Sequence, residues 1–292
     1  MSIKILVDPT EEEIIKNIKT RKPFKILGMM DKWKATKKWD LDFFVNNFGN
    51  KKIRVKNINE NKEMEMTISN YINYINEPYD SNKLLYASDI TVSSLSNDLY
   101  DEYDVDFLDK FDLFRNIQKY IDTDLNLRWI FIGKKGTYTG LHLDVLNTTG
   151  WLGLIRGKKR FYIFNDEDTE KIKEYGCFDK MNCLKMSERQ KSIFSSFNPL
   201  VVDINPGEII FTPNLLYHYV VNLENSIAVT ENFSYPEIMK DIYSDVSNPS
   251  EFKSYIYLRC MNNILFHKIE LLIYMVIISL LIRYLSKNFI YN

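Results

Sequence analysis

His142 and Asp144 stand two residues apart in the stretch Thr139-Gly140-Leu141-His142-Leu143-Asp144, and His218 follows on a later apolar stretch. The chain has only three histidines, the last being His267, so a function that needs two imidazoles draws on nearly the whole supply. On a strand, residues i and i+2 face the same side, which turns His142 and Asp144 inward together and Leu141 and Leu143 outward. An imidazole and a carboxylate on one inward face are costly unless something uses them, and a divalent metal would. A second inward histidine from another strand completes a two-His, one-carboxylate set with adjacent open positions, the arrangement diagnostic of non-haem Fe(II) oxygenases. His218, downstream of the turn Pro206-Gly207-Glu208, meets that requirement. Taken alone, the pattern leaves bland readings open: His-x-Asp arises by chance, and His218 could equally be a core histidine satisfied by hydrogen bonds.

Such a site needs strands to carry it. From about residue 127 the pattern predicts strands at Leu127–Gly133, Thr139–Val145, Trp151–Ile155, Arg160–Phe164, Leu200–Ile204, Glu208–Thr212, His218–Asn222 and Ile227–Phe233. Turn signals at Gly133, Gly150, Arg156-Gly157-Lys158, Asn205-Pro206-Gly207 and Asn222 to Asn225 separate them. Short strands with tight turns predict a jelly-roll sandwich or barrel. The stretch Asp166 to Phe197 is polar and helical in pattern, and is expected to lie outside the barrel. The first 126 residues read as mixed helix and short strand. Asp8-Pro9-Thr10 starts a helix over EEEIIKNIK, Pro23–Gly28 is a strand closed by glycine, Leu41–Phe48 is helical, Lys52–Val55 is a strand, and Met66–Ile75 is helical. Helices are expected again after Pro236.

Composition bounds the function. The chain has 292 residues, 38 basic and 39 acidic side chains, and a formal net charge of −1, which argues against nucleic-acid binding through the overall field. Its 45% apolar and 26% charged residues are those of a globular chain. Cys177, Cys183 and Cys260 form no Cys-x-x-Cys pair, which disfavours a disulfide framework and a cysteine zinc site. The N-terminus turns acidic at once and has no apolar h-region, so the expected setting is intracellular rather than secreted.

The stretch TGLHLDVLNTTGWLGLIRGKKRFYIF resembles the first metal strand and following hairpin of the jumonji-C (JmjC) family of Fe(II)- and 2-oxoglutarate-dependent oxygenases. The stretch PGEIIFTPNLLYHYVVNLENSIAVTENF resembles its second motif, and RKPFKILGMMDKW, DLDFFVNNFG and LLYASD resemble the N-terminal region of the lysyl-5-hydroxylase and arginine-demethylase branch. The resemblance covers residues 10–240. It implies an α+β, mainly β fold: a double-stranded β-helix of the jelly-roll, cupin-like type over 127–235, with a helical insertion at 166–197. An α/β region at 1–126 would pack on it, and helices would follow at 236–292. The implied activity is hydroxylation of a protein or peptide side chain, or demethylation through hydroxylation, with Fe(II), 2-oxoglutarate and O2. His142, Asp144 and His218 would hold the iron, and Lys159 would bind the distal carboxylate of 2-oxoglutarate. Thr139, Thr230, Asn232 and Tyr86 match polar contacts to the cosubstrate or near the metal. From the residues alone, Lys159 shares a strand face with Phe161 and Ile163, and an inward lysine there needs an anion; a solvated hairpin lysine is the other reading.

Two departures from the branch stand out. Leu152 follows Trp151 where the branch carries an asparagine, which removes one polar contact to the cosubstrate. The second motif reads Leu216-Tyr217-His218 where the branch has Trp-Trp-His. The rival reading is an inactive cupin-like module that binds a metal or ligand. Finally, Leu271 to Ile282 is twelve residues without a charge, inside an apolar segment at 264–285. That is shorter than the roughly 20 residues of a spanning helix, so a membrane anchor and a buried packing or homodimer helix both remain open.

Overall fold

All eight strands expected between residues 127 and 233 form. A computed structural model describes residues 2–103, 105–118, 127–175, 186–239 and 241–242. Its strands are β1 (Lys4–Val7), β2 (Phe24–Leu27), β3 (Lys52–Asn57), β4 (Lys62–Thr67), β5 (Leu85–Thr91) and β6 (Arg128–Gly133). Then come β7 (Tyr138–His142), β8 (Thr149–Arg156), β9 (Lys159–Ile163), β10 (Leu200–Ile204), β11 (Ile209–Thr212), β12 (His218–Asn222) and β13 (Ser226–Phe233).

The strands make two sheets. The larger has nine strands in the order β1-β2-β11-β8-β13-β6-β5-β3-β4, and the smaller has four, β10-β9-β12-β7. The eight strands β6 to β13 divide four and four between the sheets in the pattern of a double-stranded β-helix, switching sheet at every step except from β9 to β10. β6, β8, β11 and β13 lie in one sheet, and β7, β9, β10 and β12 in the other. Period-2 alternation packs the inner faces together. In β9, Lys159, Phe161 and Ile163 are buried while Arg160 and Tyr162 are only half-buried, so the lysine takes the inward face. Arg160 instead donates to Asp203 on β10, at 2.6 and 3.0 Å.

The N-terminal region extends the large sheet at both edges: β2 pairs with β11, and β5 pairs with β6. The helix Glu11–Lys19 starts where Asp8-Pro9-Thr10 predicts. Thr10 forms a capping box with Glu13, satisfying two backbone donors that a helix start leaves free. The helices Leu41–Phe48 and Ile68–Asn76 also form, each with a polar N-cap, Asp40 and Thr67. Aromatic packing welds this region to the barrel. The Trp33 ring meets Trp151 edge-on at 6.0 Å, and both rings are buried. The insertion begins with the helix Asp166–Tyr175. Its Ile172 packs with Leu141, Phe164 and Tyr217, covering the outer face of the small sheet. Leu141 therefore does point away from the pocket, and a helix rather than water receives it.

Three strands were not anticipated. β1 and β4 are short sheet-edge strands, and β5 carries Ala87, Ser88 and Asp89, residues poor in strand propensity. Pairing with β6 and β3 holds β5 extended. The strand expected over 139–145 stops at His142, because a 3₁₀ turn over Val145–Asn147 follows, with Leu146 and Asn147 at φ 55° and 50°. After Pro236 the described residues show a 3₁₀ turn at Pro236–Ile238. Among the described residues no helix is long and apolar enough to cross a membrane. The apolar segment 264–285, the expected C-terminal helices beyond residue 242, His267 and all three cysteines lie outside the described residues.

Candidate active site

Two adjacent strands of the small sheet bring the histidines together. His218 opens β12 and is the direct Cα partner of His142, which closes β7. Their ring centroids lie 4.3 Å apart. Asp144 lies just past β7 in backbone that is still extended, ahead of the 3₁₀ turn Val145–Asn147, and its carboxylate stands on the same side as His142, as strand alternation predicts. Asp144 Oδ1 stands 3.9 Å from His218 Nε2, and one ligand atom from each of the three residues falls within 4.8 Å of the others. Room for the carboxylate comes from Gly150, where a Cβ would sit 3.0 Å from Asp144 Oδ2.

The imidazoles are oriented for ligation. His142 Nδ1 lies 2.7 Å from the Gly140 carbonyl and His218 Nδ1 lies 3.0 Å from the Leu216 carbonyl. A carbonyl only accepts, so each Nδ1 carries the proton and each Nε2 keeps its lone pair. Loss of hydration, followed by the proximity of His218, holds the His142 imidazole down at about 4. Two neutral imidazoles and a carboxylate are the donor set that borderline divalent metals prefer.

These residues line a cavity of about 260 Å³ between the sheets. All eight residues singled out in the sequence face it: His142, Asp144, His218, Lys159, Thr139, Thr230, Asn232 and Tyr86. Phe131, Leu152, Phe161 and Val220 supply apolar walls. Lys159 is fully buried; its Nζ donates to Asn222 Oδ1 at 2.6 Å and to Tyr86 Oη at 3.2 Å. Among the described residues no carboxylate pairs with it, and burial pushes its amine down to about 7. Tyr86 is also buried, which pushes its phenol up. Thr230 Oγ1 donates to the Trp151 carbonyl at 2.6 Å, and Asn232 Nδ2 donates to Thr148 Oγ1 at 2.9 Å. Leu152, the departure noted in the sequence, faces the cavity opposite Thr230 in the β8–β13 register.

Sequence reasoning missed a role for Asn222, reading it only as the end of the strand His218–Asn222 and the start of the turn that follows. It is the Cα partner of Lys159 across β12 and β9, and it shares a strand face with His218 and Val220. A same-face count from His218 along its own strand could have found it.

Comparison with known proteins identifies a family and several relatives. A family described as a cupin-like domain matches residues 9–238. The chain is 25% identical over 236 residues to the lysine-specific demethylase JMJ21 of Arabidopsis thaliana, covering 76% of this chain and 24% of that one. It is 25% identical over 226 residues to the bifunctional arginine demethylase and lysyl-hydroxylase psr-1 of Caenorhabditis elegans, covering 73% and 56%. To the mouse 2-oxoglutarate and iron-dependent oxygenase JMJD4 it is 24% identical over 226 residues, covering 69% and 52%. The match thus spans between about a quarter and a little over half of these relatives' lengths.

Proposed function

The chain belongs to the cupin-like domain family, and from that membership and the cavity's two chemically distinct ends we propose that it is an Fe(II)- and 2-oxoglutarate-dependent oxygenase acting on a protein side chain. The observation that carries the proposal is the pairing, in one cavity, of a two-His, one-carboxylate cluster with a buried lysine that lacks an acidic partner among the described residues. The cluster fits Fe(II). The lysine fits one carboxylate of a dicarboxylic acid, since an ammonium in an apolar enclosure is stabilised strongly by an anion.

In this reading His142 and His218 hold the metal through Nε2, with their Nδ1 protons anchored on backbone carbonyls, and Asp144 supplies the third ligand. Lys159 and the Tyr86 hydroxyl bind the distal carboxylate of the cosubstrate. Thr139 and Thr230 add hydroxyls along its length, and Asn232 lies beside Gly150 on the metal side. The apolar walls exclude water. Bound there, Fe(II) and 2-oxoglutarate supply the redox chemistry that couples decarboxylation of the cosubstrate by O2 to oxygenation of a substrate C–H bond. Hydroxylation of an N-methyl carbon gives an N-hydroxymethyl group that leaves as formaldehyde, so the nitrogen is demethylated, and at a carbon elsewhere in the side chain the alcohol is the product.

A protein side chain is the proposed substrate because relatives carry the names of lysine and arginine demethylases and a lysyl-hydroxylase. The test is mass spectrometry of lysine- and arginine-containing peptide libraries, methylated and unmethylated, incubated with the full chain, Fe(II), ascorbate and 2-oxoglutarate. Gain of one oxygen identifies a hydroxylase, and loss of a methyl group a demethylase. Metal binding without any 2-oxoglutarate consumption would favour the rival reading, an inactive metal-binding module.

A further inference from the structure

Lys159 is held by a polar group that the proposed chemistry does not itself use. Its strongest hydrogen bond goes to Asn222, which is 1% exposed. Asn222 is gripped from two further sides. Its Nδ2 donates to Thr137 Oγ1 at 2.7 Å, and its Oδ1 also accepts from Ser226 Oγ at 2.7 Å. The Thr137 hydroxyl proton is already given to the Lys134 carbonyl at 2.6 Å, so towards Asn222 that oxygen can only accept. This fixes the amide's orientation: the NH2 faces Thr137 and the oxygen faces the ammonium. Gly133 makes the arrangement sterically feasible, because a Cβ there would lie 2.3 Å from Asn222 Nδ2 and 2.9 Å from the Tyr86 ring.

We propose that Asn222 is a positioning residue for the cosubstrate: its locked amide oxygen aims the Lys159 ammonium while leaving the positive charge uncompensated for an incoming carboxylate. The idea rests on the function proposed above. An ammonium has three donors. Asn222 and Tyr86 take two, and the third is free for the ligand. The side-chain type matters because a neutral amide oxygen accepts without cancelling charge. A carboxylate at the same place would form an internal ion pair and compete with 2-oxoglutarate for the same cation.

The nearly isosteric Asn222→Asp substitution tests this in the full chain. Two quantities are measured: the Kd for 2-oxoglutarate by calorimetry, with Mn(II) as a redox-silent metal, and the ligand-free melting temperature. The expected result is a Kd at least tenfold weaker, with Mn(II) binding retained and a melting temperature close to wild type, because the ion pair gained with Lys159 offsets the donor lost towards Thr137. A residue with a merely structural role would instead lower the melting temperature along with binding. Thr137→Val, which removes the acceptor that orients the amide, should weaken 2-oxoglutarate by a smaller factor and leave Mn(II) binding intact. An unchanged Kd in Asn222→Asp, or a Kd that rises only with loss of melting temperature and metal binding, overturns the positioning role. Failure of wild type to bind 2-oxoglutarate at all overturns the proposed function instead.

Discussion

His142 and His218 are Cα partners across β7 and β12, and each anchors its Nδ1 on the backbone carbonyl two residues before it. One strand pairing thus sets the separation of the rings, and two local hydrogen bonds set their tautomers. The register slips between His218 and Val220, so that β7 carries one extra residue there. Bulges of this kind re-aim side chains next to functional sites.

That pre-set geometry predicts metal binding without cosubstrate. Titration with Mn(II) should saturate at one equivalent per chain. Asp144→Ala should weaken binding by at least about tenfold while leaving the melting temperature of the metal-free protein nearly unchanged, because among the described residues this carboxylate holds no lysine or arginine that its removal would leave unpaired.

Gly150 is the second expectation. Gly150→Ala places a methyl group against Asp144 Oδ2 and must displace the carboxylate by a few tenths of an ångström. Shifts of ligand orientation typically cost about 10–100-fold in metal affinity, and calorimetry with Mn(II) should show a loss in that range.

Much of this was legible because periodicity and turn chemistry are local. Gly133, Gly157 and Gly207 punctuate the chain where strands end or turn, whereas Gly150, expected in a turn, is paired inside β8; the inward face of β9 follows from alternation alone. Asp144 shares the His142 side because the backbone stays extended for two residues beyond β7; only the strand's end was misplaced, since Leu146 and Asn147 at positive φ stop it short of Val145. β5 was illegible because Ala87, Ser88 and Asp89 gain their extended conformation from non-local neighbours. Asn222 escaped because turn formers and site residues share amino-acid types, and only the pairing with Lys159 separates them.

Lys159 gives a pH dependence with a definite sign. Burial lowers its amine from 10.5 to about 7 in the ligand-free protein. The unfolded chain therefore binds this proton more tightly, so the lysine's contribution to stability is fully present above about 10.5 and is lost as pH falls towards about 7. Binding of a carboxylate needs the charged form. At pH 8 formation of the 2-oxoglutarate complex should be accompanied by net proton uptake that grows from pH 7 to pH 8, measured by calorimetry in buffers of different ionisation enthalpy. Lys159→Met should abolish both the uptake and the binding, and should raise the ligand-free melting temperature at pH 7.

Leu152 presents an apolar side chain to the cavity opposite Thr230. Leu152→Asn should restore one hydrogen bond to the cosubstrate. At about 0.5–1.5 kcal/mol per bond, the Kd for 2-oxoglutarate should tighten by roughly 2–10-fold. No change in Kd would mean that the ligand does not pass this wall.

Glu231 supports the strand that carries Thr230 and Asn232. It is buried and accepts from Arg115 Nε at 2.8 Å and from Arg128 Nε at 2.9 Å. Glu231→Ala removes the carboxylate that two guanidiniums share and leaves the buried Arg115 with its ion pair to the half-exposed Asp109, which should cost up to about 3–5 kcal/mol in denaturant unfolding. The paired change Glu231→Met with Arg115→Met should recover part of that loss.

The central claim is that the two ends of the cavity work together on one molecule of 2-oxoglutarate. Its most direct test is Fe(II)-dependent formation of succinate from 2-oxoglutarate by the full chain, with a peptide pool as prime substrate. Wild type should form succinate in proportion to enzyme and only with Fe(II) present, and both Asp144→Ala and Lys159→Met should reduce it to background. Succinate formation that persists in folded Asp144→Ala, or none from wild type that binds the metal, would contradict the account.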